Sequence, residues 1–282
     1  MSRRKKVFAI LSMGILAALV WGLESEKAKL LNLADGSIES LEDVIPGLKS
    51  VKIVFFGEVH TVERIHEAQR KLIKSLHEAG VPLAVGLEMI THQHQEVLDR
   101  WEKGDLKEDS IRAVFHQDWG FPWDLYRDIF LYAKDNKIPM IGLNIPASIS
   151  RQVARKGFSS LSEEQLKQLP SVACIVSPDY QKFIRRALGE HAHGSMSFTH
   201  FCEAQLLWDS AMAVNLVDFM DRNPGRNVVV LAGSGHAWKL GIPSQVQART
   251  KASYRVILPE IPGSLTPKDV TVHDADYLWL DL

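Results

Sequence analysis

The chain has 282 residues, of which 46% are hydrophobic and 24% charged, and its mean hydropathy is -0.06. This balance excludes both an unfolded polar chain and a multi-spanning membrane protein. A net charge of -1 provides no basic footprint for phosphates, so nucleic acid is not an expected partner, and two cysteines, Cys174 and Cys202, cannot form a disulfide scaffold.

The amino terminus reads as an export signal or membrane anchor: Arg3-Arg4-Lys5-Lys6 precedes an uncharged apolar run from Val7 to Leu23. As a helix that run would span about 26 Å, a little short of a hydrocarbon core of about 30 Å. Trp21 and Leu23 make a poor cleavage site, so residues 1–23 are expected to be a signal peptide or an uncleaved anchor in the cell envelope. Residues 24–282 are expected to form the exported domain, and membrane contact is expected only through the leader.

Beyond the leader, short apolar runs alternate with amphipathic stretches, the pattern of an α/β fold on a largely parallel central sheet flanked by helices. Strands are expected at Val51 to Phe56, Leu83 to Leu87, Ile138 to Leu143, Val228 to Leu231 and Tyr254 to Leu258. A helix from Val62 to Ala79 should stop at Gly80. Helices are also expected from Thr91 to Lys103 and from Leu106 to Ala113, with Asp105 and Glu108 in a capping pattern between them. Ser159 to Asn223 holds no convincing strand and reads as a helical insertion before the penultimate core strand. Ser162 and Pro178 are its start signals, and a long helix from Phe198 to Asp221 ends it. Tyr277 to Leu280 is expected to add an edge strand.

The polar residues at the strand ends carry the chemistry. Glu58 and His60 come directly after the first strand, Glu88 and Asn144 end the second and third, and Gly233-Ser234-Gly235-His236 comes after the fourth. Parallel strands bring such residues together, because open α/β folds bind ligands outside the carboxyl ends of the sheet. Glu58, His60, Glu88 and His236 are candidates for acid-base catalysis, for holding a divalent metal ion, or for both. On the long helix, Gln205, Trp208, Asp209 and Met212 share one face, with Gln205 and Asp209 the candidates to line the crevice and Trp208 or Met212 to pack beneath it. His92 and His94 sit two apart on an expected helix and should point apart, whereas His191 and His193 lie in a Gly-flanked loop where an extended chain could bring them together. Gly233-Ser234-Gly235 is too short for a serine nucleophile elbow, which disfavours a serine hydrolase.

Gly-Glu-Val-His after the first strand, Gly-Leu-Glu-Met after the second, Ala-Gln-Leu-Leu-Trp-Asp-Ser-Ala-Met-Ala on the long helix and Gly-Ser-Gly-His after a later strand together resemble the ChaN family of haem-binding uptake proteins. That family belongs to the wider Tiki and erythromycin-esterase superfamily, and the resemblance runs from about Ile53 to Leu258. It implies an α/β core with helical additions, export to the cell envelope, and haem held between the two protomers of a homodimer for haem or iron uptake. Tyr126, Tyr180, His191 and His193 are candidate iron ligands under this resemblance. The chain departs from the lipoproteins of the family in having no cysteine just after the leader. The alternative implied by the same superfamily is a metal-dependent or acid-base hydrolase using Glu58, His60, Glu88 and His236.

Overall fold

The computed structural model describes residues 28–172, 175–188, 197–263 and 265–282. The leader, Cys174, His191 and His193 lie outside them. In chain order the strands are β1 Lys29–Asn32, β2 Ile38–Ser40, β3 Ile53–Glu58, β4 Leu83–Thr91, β5 Met140–Asn144, β6 Asn227–Gly233, β7 Tyr254–Pro259 and β8 Tyr277–Trp279. The helices are α1 Leu41–Lys49, α2 Glu63–Glu78, α3 Gln95–Lys103, α4 Glu108–Asp118, α5 Arg127–Asp135, α6 Ala147–Lys156, α7 Glu163–Lys167, α8 Pro178–Leu188, α9 Phe198–Arg222, α10 Ser234–Ala237 and α11 Ile242–Gln247. Among the described residues no helix is long and apolar enough to cross a membrane.

One sheet orders these strands β2-β1-β8-β7-β3-β6-β4-β5, and every pairing from β8 to β5 is parallel. β3 and β4 are buried along their whole length, which is why they read as continuous apolar runs rather than alternating ones. Apolar side chains on the two faces pack into two large clusters. Phe56, Leu72, Leu87, Trp101 and Phe130 belong to one, with α2, α3 and α5. Phe55, Val230, Met212, Leu216 and Ile242 belong to the other, with α9 and α11. The helical insertion α6 to α9 joins the second face, and Asn215 Nδ2 donates to the Leu143 carbonyl at 2.8 Å, fastening α9 to β5.

The expected fold class is the one observed, with the insertion preceding β6 and no strand among the described residues from 159 to 223. Gly80 follows α2 at φ +79°, a left-handed position that favours glycine, and Ser162 forms a capping box with Gln165 at the start of α7. Three expectations change. Tyr277 to Trp279 is not an edge, because β1 pairs antiparallel with it and β2 covers β1. Thr91 belongs to β4, which runs past its expected end. Asp105 and Glu108 form no capping box: α4 starts at Glu108, whose carboxylate instead accepts from Arg127 Nε at 2.6 Å and Trp123 Nε1 at 3.1 Å.

Candidate functional site

The central strands β3, β6 and β4 lie side by side and end at one rim, so the residues that close them are brought together there. Glu58 is the last residue of β3 and is buried. Its Oε1 accepts from His60 Nδ1 at 2.9 Å and from the Tyr126 hydroxyl at 2.5 Å, and its Oε2 accepts from Gln69 Nε2 at 2.8 Å. His66 on α2 extends this group, with Nδ1 3.1 Å from Gln69 Oε1 and Nε2 3.2 Å from the His60 carbonyl. Burial alone would raise the Glu58 carboxyl, but His60, His66 and Tyr126 outweigh it and hold it below the usual range.

A second group of the same design faces the first. α9 presents Asp209, almost fully buried, whose Oδ1 accepts from His236 Nδ1 at 2.7 Å and whose Oδ2 accepts from the Tyr180 hydroxyl at 2.5 Å. Each histidine is thus oriented through Nδ1 by a buried carboxylate that a buried tyrosine also holds. Glu88 stands between the two. Its Oε1 is 3.7 Å from His236 Nε2, and its Oε2 accepts from the Gly233 amide at 2.6 Å. His60 comes so close to Gly233 that a Cβ there would sit 2.9 Å from the His60 ring. Gly233→Ala should therefore displace His60 and cost about 1–3 kcal/mol by overpacking, read as a fall in melting temperature.

The surroundings set the two imidazoles apart. Burial disfavours the His236 imidazolium, yet Glu88 and Asp209 raise the ring to about 9. His60 is also raised, with burial opposed by Glu58 and Glu88, and its side chain keeps 27% exposure. Trp119 and Phe121 flank the His60 ring at 4.9 and 4.8 Å, and Trp208 meets His236 edge-on at 5.5 Å. A cleft of about 380 Å³ opens over Glu58, His60, Gln205 and His236, walled by Phe201, Trp238, Ile261 and Leu265.

Glu58, His60, Glu88 and His236 therefore meet at one rim, Gln205 lines the cleft over them, and Asp209 lies beneath His236 while Met212 packs in the core. The metal reading is not supported: among the described residues no three His, Cys, Asp or Glu side chains are placed to hold an ion. The physical reason is that both oxygens of Glu58 and of Asp209, and one oxygen of Glu88, are already taken by protein donors. Tyr126 and Tyr180 are buried with their hydroxyls donated to Glu58 and Asp209, so neither offers its oxygen to a ligand in the cleft. His92 and His94 turn to different partners, the Gly142 carbonyl and Asp118. Gln69 and His66 escaped the sequence reading, although both occupy positions on the buried stripe of α2, where a polar residue needs a partner.

A family model described as haem-binding uptake, Tiki superfamily, ChaN matches residues 44–246. The chain belongs to this family. Among solved structures it is similar to ChaN of Campylobacter jejuni with cofacially bound haem, at 20% identity and a TM-score of 0.69 over 90% of this chain and 97% of that one. It is also similar to a mutant of the erythromycin esterase EreC in its open conformation, at 14% identity and a TM-score of 0.51 over 90% of this chain and 82% of that one. These two likenesses concern the fold. No curated protein matches the chain.

Proposed function

We propose that this ChaN-family protein binds haem and serves haem or iron uptake at the cell envelope, with haem shared between two protomers. The observation that carries the reading is the family match over residues 44–246, supported by a fold shared with a protein that binds haem cofacially. The apolar run from Val7 to Leu23 behind Arg3 to Lys6 supports export.

The cleft walls suit a porphyrin: Phe201 from α9, Ile261 and Leu265 are apolar, and Trp238 adds an indole ring whose buried Nε1 has no hydrogen-bond partner among the described residues. A flat apolar macrocycle with carboxylate arms matches a donor set among rings. At about 380 Å³ the cleft lies at the small end of ligand pockets, so one protomer encloses a macrocycle only in part, which favours a shared ligand. His191 and His193, between α8 and α9, are the proposed iron ligands, while Tyr180 would have to release Asp209 first. Bound haem would supply an iron centre that takes up an axial ligand, and this chain's part is to ligate and enclose it.

Haemin added to the purified protein should shift its Soret band and move the protein from monomer to dimer in sedimentation, because a shared ligand couples binding to association. His191→Ala or His193→Ala should weaken the spectral change, whereas His60→Ala and His236→Ala should leave it largely intact. An unchanged haemin spectrum over the titration would overturn the reading.

A further inference from the structure

We propose that the groove between α2 and the end of β8 is a docking site for anionic phospholipid headgroups, holding the α2 side of the domain against the membrane. The proposal rests on the reading of Val7 to Leu23 as an uncleaved anchor. α2 turns Ile65, Leu72 and Leu76 into the core, which leaves Arg64, Lys71 and Lys74 toward its outer face with Arg70 beside them. With Lys29 of β1 they line a groove of about 530 Å³. Its floor is apolar: Ala68 and Trp279 are buried, and Ala28 and Leu282 pack partly buried against the core.

The cations gather here against the balance of the chain. Taking the four basic residues of the leader from the total of 33 leaves 29 against 34 acidic residues, so residues 24–282 are net negative. The groove reverses that sign, with five Lys and Arg side chains against the carboxylates of Glu67 and Asp281. Asp281 is engaged with Lys29, whose Nζ lies 3.3 Å from its Oδ2, and its carbonyl accepts from Arg64 Nη2 at 2.9 Å. Lys74 meets Glu78 at 3.7 Å, an exposed pair that a phosphate displaces at little cost. Arg70 and Lys71 make no hydrogen bond or ion pair among the described residues, so their charge is open to a ligand.

Chain geometry selects a membrane as the source of the anion. Ala28 lines the groove, and the apolar run ends only five residues earlier at Leu23. Even fully extended, that length holds the edge of the groove within about 18 Å of the end of the anchor. Arg3 to Lys6 ahead of the run keep the other end on the cytoplasmic side, which puts the domain on the outer face with the groove at headgroup level. A headgroup phosphate takes charge-assisted hydrogen bonds from Arg70, Lys71 and Lys74, and the apolar floor receives the glycerol and the start of the acyl chains. No residue that lines this groove lines the cleft over His60 and His236, so docking leaves the cleft open.

The test reconstitutes the full chain into vesicles of phosphatidylcholine alone and into vesicles with phosphatidylglycerol in equal parts, then acetylates lysines and reads each by mass spectrometry. Lys268, exposed beyond Leu265 of the cleft wall, is the internal reference. Lys71 and Lys74 should react at least about fivefold more slowly in the anionic vesicles, the effect of one cation at an anionic surface, while Lys268 is unchanged. About 1 M salt should restore their reactivity, and Arg64→Glu with Arg70→Glu should abolish the protection. Equal reactivity in the two vesicles overturns the proposal. Equal protection in both overturns it too, since the groove is then covered by the leader or by a second copy. If the double variant does not fold, protection of the unaltered chain that survives about 1 M salt overturns it. Flotation with phosphatidylcholine alone reads the anchor by itself. A chain that fails to float there has lost the anchor reading, while groove docking still requires binding to the anionic vesicles, and the absence of that binding overturns it.

Discussion

Asp209→Ala is expected to be the most damaging single substitution, lowering stability by about 3–5 kcal/mol, because it strips one partner from a buried charged group. The loss does not stop at one hydrogen bond. Tyr180 would lose the carboxylate that its buried hydroxyl donates to, and His236 would lose the acceptor of its buried Nδ1–H, with the more distant Glu88 left to balance its charge. Tyr180 belongs to α8 and His236 to α10, so the substitution also unfastens the insertion from the end of β6. Asp209→Asn keeps the size and one acceptor oxygen and should cost markedly less. Urea denaturation checks this: the midpoint should drop for Asp209→Ala with little change in slope. A loss below about 1 kcal/mol would show that the side chain is solvated rather than built into the centre.

Alkaline pH should remove a second large contribution. Because the His236 ring is raised to about 9 in the folded chain, well above its ordinary value of 6.5, the fold favours the protonated form. Its stabilisation is fully present below about pH 6.5 and is lost as pH climbs through about 9, in total on the order of 3 kcal/mol. His60 shifts in the same direction and adds to the trend. Melting temperature should therefore fall between about pH 7 and 10, and His236→Gln should start lower and vary less over the same interval. Glu58 acts with opposite sign: its lowered carboxyl stabilises the fold above the usual carboxylate range, and that contribution disappears in acid. Parallel melting curves for the unaltered chain and His236→Gln across the alkaline range would contradict this account.

The rim of the sheet was readable because polar residues directly after buried parallel strands have few other places to go. Glu58, Glu88 and His236 needed only strand periodicity and the rule that parallel strands share a carboxyl edge. Asp209 stood less clearly in the sequence, since a helical carboxylate reads equally as a solvated charge until the face beneath it is known. Tyr126 and Tyr180 pass as core aromatics or iron ligands in one dimension, and only the fold reveals that their hydroxyls reach carboxylates from strands and helices far away in sequence. β1 and β2 were missed because four and three residues are too few for a periodic signal. The same omission turned β8 into an edge, since a strand's neighbours are not written in its own residues.

The position of β3 has a consequence for how the chain reaches its fold. Ile53 pairs with Val228 on one side and Tyr254 on the other, so the strand that carries Glu58 finds both neighbours only after nearly the whole polypeptide is available. Until then Ile53, Val54, Phe55 and Phe56 form an adhesive segment with unsatisfied edges, the kind of sequence that self-associates while it waits. Refolding should accordingly be slow and sensitive to protein concentration, and a chain truncated before β6 should aggregate rather than settle into half a sheet.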